Sequence, residues 1–242
     1  MGALVSTIQT GVVEMMTSGV SLSEAELWTI PYPNNPEEHA KWVLTPVGTQ
    51  STFRLVQSDW IEPITKNYWW MVPTLWLPIV LLGLSHTSGD AGSALTVLTG
   101  LAAWFPFEYV AHRFVFHCMR WPRLQFVIHG LHHRFPLDAE RLVFPAAPAM
   151  FAALLLWRAA SLVTVPETSA GLMSGFTMGY IVYDLTHYAL HYAKWSGPLT
   201  RHHRIHHYTR PDMNFGITTR CFDRLCGTLV EPSASLPTAP NE

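Results

Sequence analysis

The chain has 242 residues, of which 49% are apolar and only 13% are Asp, Glu, Lys or Arg. Roughly a quarter of the residues in average globular domains are charged, so this composition disfavours a water-soluble protein. The net charge of −2 provides no basic field for nucleic acid, and the ten tryptophans suit the interfacial anchors of a membrane protein.

The two ends of the chain are polar. Residues 1–66 contain turn signals such as Pro31, Pro33 and Pro36, and we expect them to lie on the surface or against the membrane face. No basic region precedes an apolar one at the start, so a cleaved signal peptide is not expected. Residues 232–242 predict a C-terminal tail without ordered structure. The three cysteines form no CxxC pair, which predicts reduced thiols without a redox or zinc role.

Between these ends lie four uncharged runs of 23, 17, 16 and 16 residues, at 67–89, 91–107, 142–157 and 168–183. A spanning helix needs about 20 apolar residues, so the first run qualifies and the others are borderline. Taken singly, the third and fourth runs also fit buried helices of a soluble protein. Short loops near residues 89–92 and 161–170 join the runs in pairs, which predicts two helical hairpins.

The basic residues are distributed unequally about these hairpins. Of the 15 Lys and Arg residues, all except Arg158 lie on the side where the chain enters and leaves the hairpins. The positive-inside rule assigns that side to the cytosol. The predicted fold is an all-α integral membrane protein with four transmembrane helices in two hairpins, within a domain of residues 67–231, and a cytosolic helical cap.

Ten of the 13 histidines form four clusters at the cytosolic ends of the hairpins. The clusters are His112 and His117; His129, His132 and His133; His187 and His191; and His203, His206 and His207. Two clusters follow the pattern HxxHH, which on a helix of 3.6 residues per turn predicts three imidazoles on one side. His112 and His117 are about 140° apart on an ideal helix, so they either approach from a helix end or serve different metals. His202 is expected to support the site or lie at the surface.

The number and type of these ligands predict two metal ions. One ion takes about four to six ligands, and burying ten imidazoles without partners would cost free energy. Imidazole binds zinc, copper, iron and nickel alike, whereas structural zinc sites usually include cysteine. Nitrogen-rich coordination of two ions fits oxygen activation by two irons. Zinc is not excluded, and it can occupy the sites of purified protein.

The motifs around these histidines resemble the fatty acid hydroxylase superfamily, and most closely the fatty acid 2-hydroxylases. The resemblance covers roughly residues 58–231. It rests on 108–117 (EYVAHRFVFH), 129–133 (HGLHH), 141–145 (RLVFP), 179–188 (GYIVYDLTHY), 202–207 (HHRIHH) and 214–219 (NFGITT).

The resemblance implies a four-helix anchor in the endoplasmic reticulum membrane under a cytosolic cap. The implied reaction is O2-dependent hydroxylation at carbon 2 of a long or very long acyl chain, free or in ceramide, in sphingolipid biosynthesis. Many members carry an N-terminal cytochrome b5 domain with a His-Pro-Gly-Gly haem motif, and residues 1–66 contain no such motif. We therefore expect no haem in this chain, and electrons from a separate cytochrome b5 and its NAD(P)H-dependent reductase.

An alkyl C–H bond has no acidic proton, so its hydroxylation requires a redox metal, whose ligands other groups then orient. Asp184 lies three residues before His187, and Glu108 lies four before His112. Both carboxylates are candidates for contacting the second nitrogen of an imidazole, with a helix-end or surface role as the alternative. Tyr183 is a candidate for lining the site, or for an interfacial aromatic belt.

The remaining polar residues near the histidines are less informative. Asp223 is expected to be structural. Arg134 and Arg204 either contact an acyl carboxylate or lipid phosphate, or follow the positive-inside rule alone. The acyl tail is expected in an apolar groove between the helices that opens toward the metals.

Three other functions remain compatible with these residues. A sterol oxidase, a sphingoid-base C4-hydroxylase or a desaturase would share the two irons and differ in product. A membrane metal-binding or transport protein is the second alternative, although transporters place ligands near the bilayer midplane and these clusters lie beyond the span ends. A di-haem electron-transfer bundle is the third, and its absorption spectrum would identify it.

Overall fold

The computed structural model describes residues 55–56, 58–118, 121–192 and 197–231, and this part of the chain is helical with no β-strand. The helices are α1 (Met71–Leu84), α2 (Ala91–Val110), α3 (Pro122–Gln125), α4 (Leu131–Arg134), α5 (Ala146–Val163), α6 (Pro166–Tyr192), α7 (Pro198–Tyr208) and α8 (Cys221–Leu225). Two π-helical segments, Ala111–Phe116 and Phe126–Gly130, follow α2 and α3. The predictions for residues 1–54 and 232–242 concern parts of the chain outside the described residues.

Each of the four apolar runs contains the greater part of one helix, from α1, α2, α5 and α6 in turn. Local sequence signals set some helix ends: the Asp90 side chain accepts a hydrogen bond from the Ser93 N–H at 2.8 Å and caps α2. Pro166 and Pro198 begin α6 and α7, because proline lacks the N–H that a first turn leaves unpaired.

The long helix α6 is central to the fold. It packs against α1, α2 and α5, and its most extensive contact is with α2. The close approach to α2 depends on glycine, since a Cβ at Gly175 would overlap the carbonyl of Val97 and a Cβ at Gly100 would overlap that of Leu172. Small residues at helix interfaces are typical of membrane bundles. The small polar residues of the fourth run therefore form part of the 27-residue helix α6 and suit its close packing.

The surface of the helices is apolar. Two of them, taken as Ala91–Phe116 and Ala146–Val163, are long and apolar enough to cross a membrane, while α1 is apolar but shorter. Only a small part of the apolar stretch in each of these two helices is buried inside the protein, and side chains such as Leu95, Leu154 and Leu162 are exposed. Soluble proteins rarely expose contiguous apolar surface of this kind, so these helices suit a lipid environment.

The short helices α3, α4, α7 and α8 lie at the histidine-bearing end, where α7 contacts α6 and α8 contacts α2. Residues just before α1 contact the loop that precedes α5. The Glu62 carboxylate accepts a hydrogen bond from Arg141 at 2.6 Å, and Asn67 accepts one from the Ala146 N–H at 3.0 Å. Residues 62–67 therefore connect the start of α1 to the loop that precedes α5.

Candidate metal centre

Ten buried histidines form two groups of five, and within each group the candidate ligand atoms lie within 4.8 Å of one another. The first group is His112, His117, His129, His133 and His206; the second group is His132, His187, His191, His203 and His207. These are the ten histidines that the sequence predicts as ligands. His202 lies in neither group, His86 is exposed at the α1–α2 loop, and His39 is outside the described residues.

The two HxxHH motifs each contribute to both groups. His129 and His133 lie in the first group and His132 lies in the second; in the other motif, His206 lies in the first and the two remaining histidines lie in the second. The three imidazoles that each motif was expected to present on one side of its helix are therefore divided between the two groups. Adjacent residues are 100° apart on a helix, so two adjacent imidazoles diverge toward two points.

A π-helical turn brings His112 and His117 together. The His117 N–H donates to the His112 carbonyl at 3.2 Å, which is the five-residue spacing of a π-helix. This winding places the two residues one above the other, whereas an ideal α-helix would separate them by about 140°. Both belong to the first group. Of the two arrangements left open by the sequence, service to different metals is therefore not the one that the grouping shows.

The nitrogen positions fit a metal ion better than they fit hydrogen bonding. In the first group the Nε2 atoms of His112, His117 and His129 form a triangle with edges of 3.1–3.2 Å. Nitrogens about 2.0–2.1 Å from a common ion would lie roughly 2.8–3.4 Å apart at octahedral or tetrahedral angles. In the second group His132 and His207 have Nε2 atoms 3.1 Å apart, and those of His191 and His203 are 2.8 Å apart.

Burial keeps these imidazoles neutral. Desolvation, reinforced by neighbouring imidazoles, holds the pKa values of His133, His206 and His207 well below the ordinary 6.5. Several buried ring nitrogens have no hydrogen-bond partner in the described protein, including both nitrogens of His133 and Nε2 of His206. Neutral imidazoles with unshared lone pairs are the form that binds metal, so the residues present fit two ions.

Both predicted supporting carboxylates are buried, but in the described part of the chain neither contacts an imidazole as predicted, and each instead accepts hydrogen bonds that fix a loop. Glu108 accepts from the backbone N–H groups of Ile217 and Thr218 at 2.6 and 3.0 Å, from the Thr218 hydroxyl and from the Trp104 indole. Asp184 accepts from the Phe144 N–H at 3.1 Å. Glu108 thus fixes the loop after α7 to α2, and Asp184 fixes the loop before α5.

Two further residues, Asp223 and Asn214, make more hydrogen bonds around the site than the sequence indicates. Asp223, expected to be structural, is fully buried and accepts hydrogen bonds from His202 and from the backbone N–H groups of Phe215 and Gly216. Asn214 adopts a positive φ of 58°, a conformation that asparagine tolerates, and its side chain bonds to Val230 and His202. The NFGITT motif marks this loop, but its backbone geometry is not readable from the sequence.

Two adjoining cavities connect the histidines to the apolar helices. A cavity of about 250 Å³ lies between α2, α5 and α6, and its walls are almost entirely apolar. A smaller cavity of about 30 Å³ is lined by His129, His132 and His187. Both cavities are lined by Ile128, Phe144 and Tyr183, and the Tyr183 ring centroid is 5.9 Å from that of His187.

These features define a class of protein: a helical protein with membrane-type apolar helices and two clusters of histidines suited to metal ions. Its relatives identify the family. The model of the fatty acid hydroxylase family matches residues 97–228, a range that includes all ten histidines. The chain belongs to the fatty acid hydroxylase family and is an enzyme of this kind, which confirms the resemblance read from the motifs.

Individual relatives agree with this assignment. The dihydroceramide fatty acyl 2-hydroxylase FAH1 of Arabidopsis thaliana is 38% identical over 214 residues, covering 83% of this chain and 89% of its own. Human fatty acid 2-hydroxylase is 32% identical, covering 88% of this chain and 65% of its own. A solved structure of full-length scs7p, with only the hydroxylase domain visible, is similar with a TM-score of 0.75 at 27% identity, over 90% of this chain and 86% of that one.

Proposed function

We propose that the protein hydroxylates carbon 2 of a long or very long fatty acyl chain, free or within a ceramide, in an O2-dependent reaction at two irons held by the ten histidines. The observation that carries this proposal is the apolar cavity that adjoins the histidines. An acyl tail fits an apolar cavity because its burial removes methylene groups from water at about 0.8 kcal/mol each. The activities for which these relatives are named support the position of hydroxylation and the acyl and ceramide substrates.

The two irons would supply the activation of O2, a step for which amino-acid side chains have no chemistry. The protein's own residues have two other tasks. The imidazoles of the two groups hold the ions. Ile128, Phe144 and Tyr183, which line both cavities, form the walls where the tail cavity meets the histidines and exclude water there.

Supporting residues keep these walls in place. Asp184 accepts the Phe144 N–H, so its carboxylate positions one of the three residues shared by the cavities. Glu108 holds the loop whose Phe215 carbonyl contacts His112. We assign both carboxylates to positioning, and Tyr183 to the wall beside the second group.

We further propose that α1, α2, α5 and α6 form four spans in the endoplasmic reticulum membrane, with the metal centre facing the cytosol. Exposed tryptophans at the histidine end, Trp60, Trp69, Trp70 and Trp121, support an interfacial belt there. A separate cytochrome b5 and its NAD(P)H-dependent reductase would deliver electrons to this exposed face. The 14 residues of α1 extend about 21 Å, less than the roughly 30 Å hydrocarbon core, so the bilayer would thin beside α1.

Reconstitution tests the reaction. Purified protein is loaded anaerobically with Fe²⁺ and assayed with cytochrome b5, its reductase, O2 and a panel of fatty acids, ceramides, sterols and sphingoid bases. We expect a 2-hydroxy acyl product by mass spectrometry, no product from His207→Ala, and normal turnover from His86→Ala, whose imidazole is exposed at the opposite end. A sterol, C4-hydroxy or desaturated product would contradict the assignment to carbon 2.

The native cysteines test the orientation. Cys118, Cys221 and Cys226 are all exposed and lie at the histidine end. In sealed microsomes with their cytosolic face outward, a membrane-impermeant maleimide should label them without detergent. Labelling only after the membrane is permeabilised would place the metal centre in the lumen.

A further inference from the structure

The two groups differ in what holds the outer nitrogens of their imidazoles. In the first group, Nδ1 of His112 contacts the Phe215 carbonyl at 2.5 Å, and Nδ1 of His206 contacts the Met213 carbonyl at 2.7 Å. A carbonyl oxygen only accepts, so both Nδ1 atoms carry the proton. The Nε2 lone pairs of these neutral rings then point into the first group.

The second group lacks such contacts in the described protein. The Nδ1 atoms of His132, His203 and His207 are buried without a hydrogen-bond partner. Their tautomer and ring orientation are therefore not set by a backbone carbonyl. Hydrogen bonds to the outer nitrogen fix the orientation of metal-binding histidines, so the two groups are not equally prepared for an ion.

Both carbonyls that orient the first group belong to one short segment, residues 213–216, and this segment is tied to the Asp223 carboxylate. Asp223 Oδ1 accepts from the Phe215 N–H and the Thr228 hydroxyl, both at 2.8 Å. Its Oδ2 accepts from the Gly216 N–H at 2.7 Å and from His202 Nε2 at 3.1 Å. Four accepted hydrogen bonds use the whole capacity of a carboxylate.

The carboxylate reaches the backbone only because residue 216 is glycine. A Cβ at Gly216 would overlap the Thr219 carbonyl and lie 2.9 Å from Asp223 Oδ2. Hydrogen bonds to the carboxylate also outweigh its desolvation and keep the pKa of Asp223 below its ordinary value, so it remains a charged acceptor.

We propose that Asp223 is a positioning residue for the first metal alone, acting through the backbone of residues 213–216 on His112 and His206, and that the two metals are consequently held with unequal affinity. In the first site two of the five ligands, His112 and His206, are oriented in advance by backbone carbonyls. In the second site the Nδ1 atoms of His132, His203 and His207 have no such partner in the described part of the chain. This inference rests on the proposed metal centre and not on the acyl substrate.

Asp223→Asn tests it, because the amide keeps the shape and replaces one oxygen with an NH2 group that cannot accept. The full chain in detergent is loaded with Zn²⁺, exposed to graded chelator, and its zinc content per chain is measured. We expect the first site to lose about 10–100-fold in affinity while the second is unchanged. Asp212→Asn is the matched control, since Asp212 pairs with Arg210 at the surface.

The site that empties is identified by carbethoxylation of free imidazoles and mass spectrometry. The proposal predicts that the first-group histidines become reactive while His187, His203 and His207 stay protected. Thr228→Val, a nearly isosteric change that removes one donor to Asp223, should shift the same site by a smaller factor and serves if Asp223→Asn does not fold.

Three results would overturn the proposal: loss of both zinc ions at the same chelator concentration, wild-type affinity at both sites, or selective loss of the second group. A wild-type chain that binds no zinc would overturn it together with the metal centre on which it rests. Two zinc ions in the wild type and equal weakening of both sites in the variant would leave the metal centre standing and remove Asp223 from it.

Discussion

The substitution Glu108→Gln tests how much stability comes from the buried carboxylate that holds the loop beside the first group of histidines. The carboxylate accepts four hydrogen bonds, from two backbone N–H groups, the Thr218 hydroxyl and the Trp104 indole. Glutamine keeps one oxygen, which we expect to remain on the backbone donors, and turns an NH2 group toward the indole. A buried donor left unpaired costs about 1–3 kcal/mol, and the other bonds lose the gain from charge. We expect a net loss of about 2–3 kcal/mol.

For a chain of this size that loss corresponds to a fall in Tm of roughly 4–12 °C, measurable by thermal unfolding in detergent. Glu167→Gln is the control, because Glu167 also accepts a backbone N–H, that of Ser88, but is exposed to solvent. Its substitution should change the free energy of unfolding by less than about 0.5 kcal/mol. Equal Tm values for the two variants would refute the argument that burial makes Glu108 important.

Three further predictions address the site and the cavity. His206→Ala and His207→Ala should each lose one metal, from different groups. Zinc binding worth about 10–16 kcal/mol over four ligands gives roughly 100- to 1,000-fold weaker affinity per ligand lost, and chelator titration with histidine mapping checks this. Ala153→Trp should reduce turnover of very long acyl chains more than shorter ones, whereas Ala159→Trp on the exposed face should not; an unchanged preference contradicts the tail cavity. Burial lowers the pKa values of His133, His206 and His207, so the metal-free unfolded chain gains protons below about pH 6.5 that the folded chain does not. Between pH 6.5 and 5.5 the free energy of unfolding of the metal-free chain should fall by about 1 kcal/mol per histidine, and at higher pH it should stay constant. A Tm that does not change with pH over this range would contradict the prediction.

The helical architecture was predictable because lipid-facing helices are marked by uncharged runs. The four uncharged runs predict that α1, α2, α5 and α6 exist and in which order, although the runs and the helices differ in length. The fourth run, which contains several glycines and serines, belongs to the 27-residue helix α6 at the centre. Mean hydropathy undervalues such a helix because small polar residues are selected for close packing.

The identity of the ten grouped histidines was also readable, but their division between two groups was not. Spacing states which imidazoles share a helix face, whereas the position of each ion depends on how four helix ends converge. The π-turn at residues 111–116 shows the difference, since it is defined by the bond from His117 to His112 and no residue type signals it. Likewise, the support from Asp223 requires a loop conformation that depends on Asn214 and Gly216 together.

The division has a consequence for how the centre forms. Each group takes four histidines from one half of the chain and one from the other: His206 joins the first group from α7, and His132 joins the second from α4. Neither half therefore contains a complete set of five. Because ligands converge only when the halves dock, metal binding adds its free energy to that docking. The two crossing histidines adjoin His133 and His207, whose rings stack at 4.3 Å, so the halves are held together where the two groups are closest.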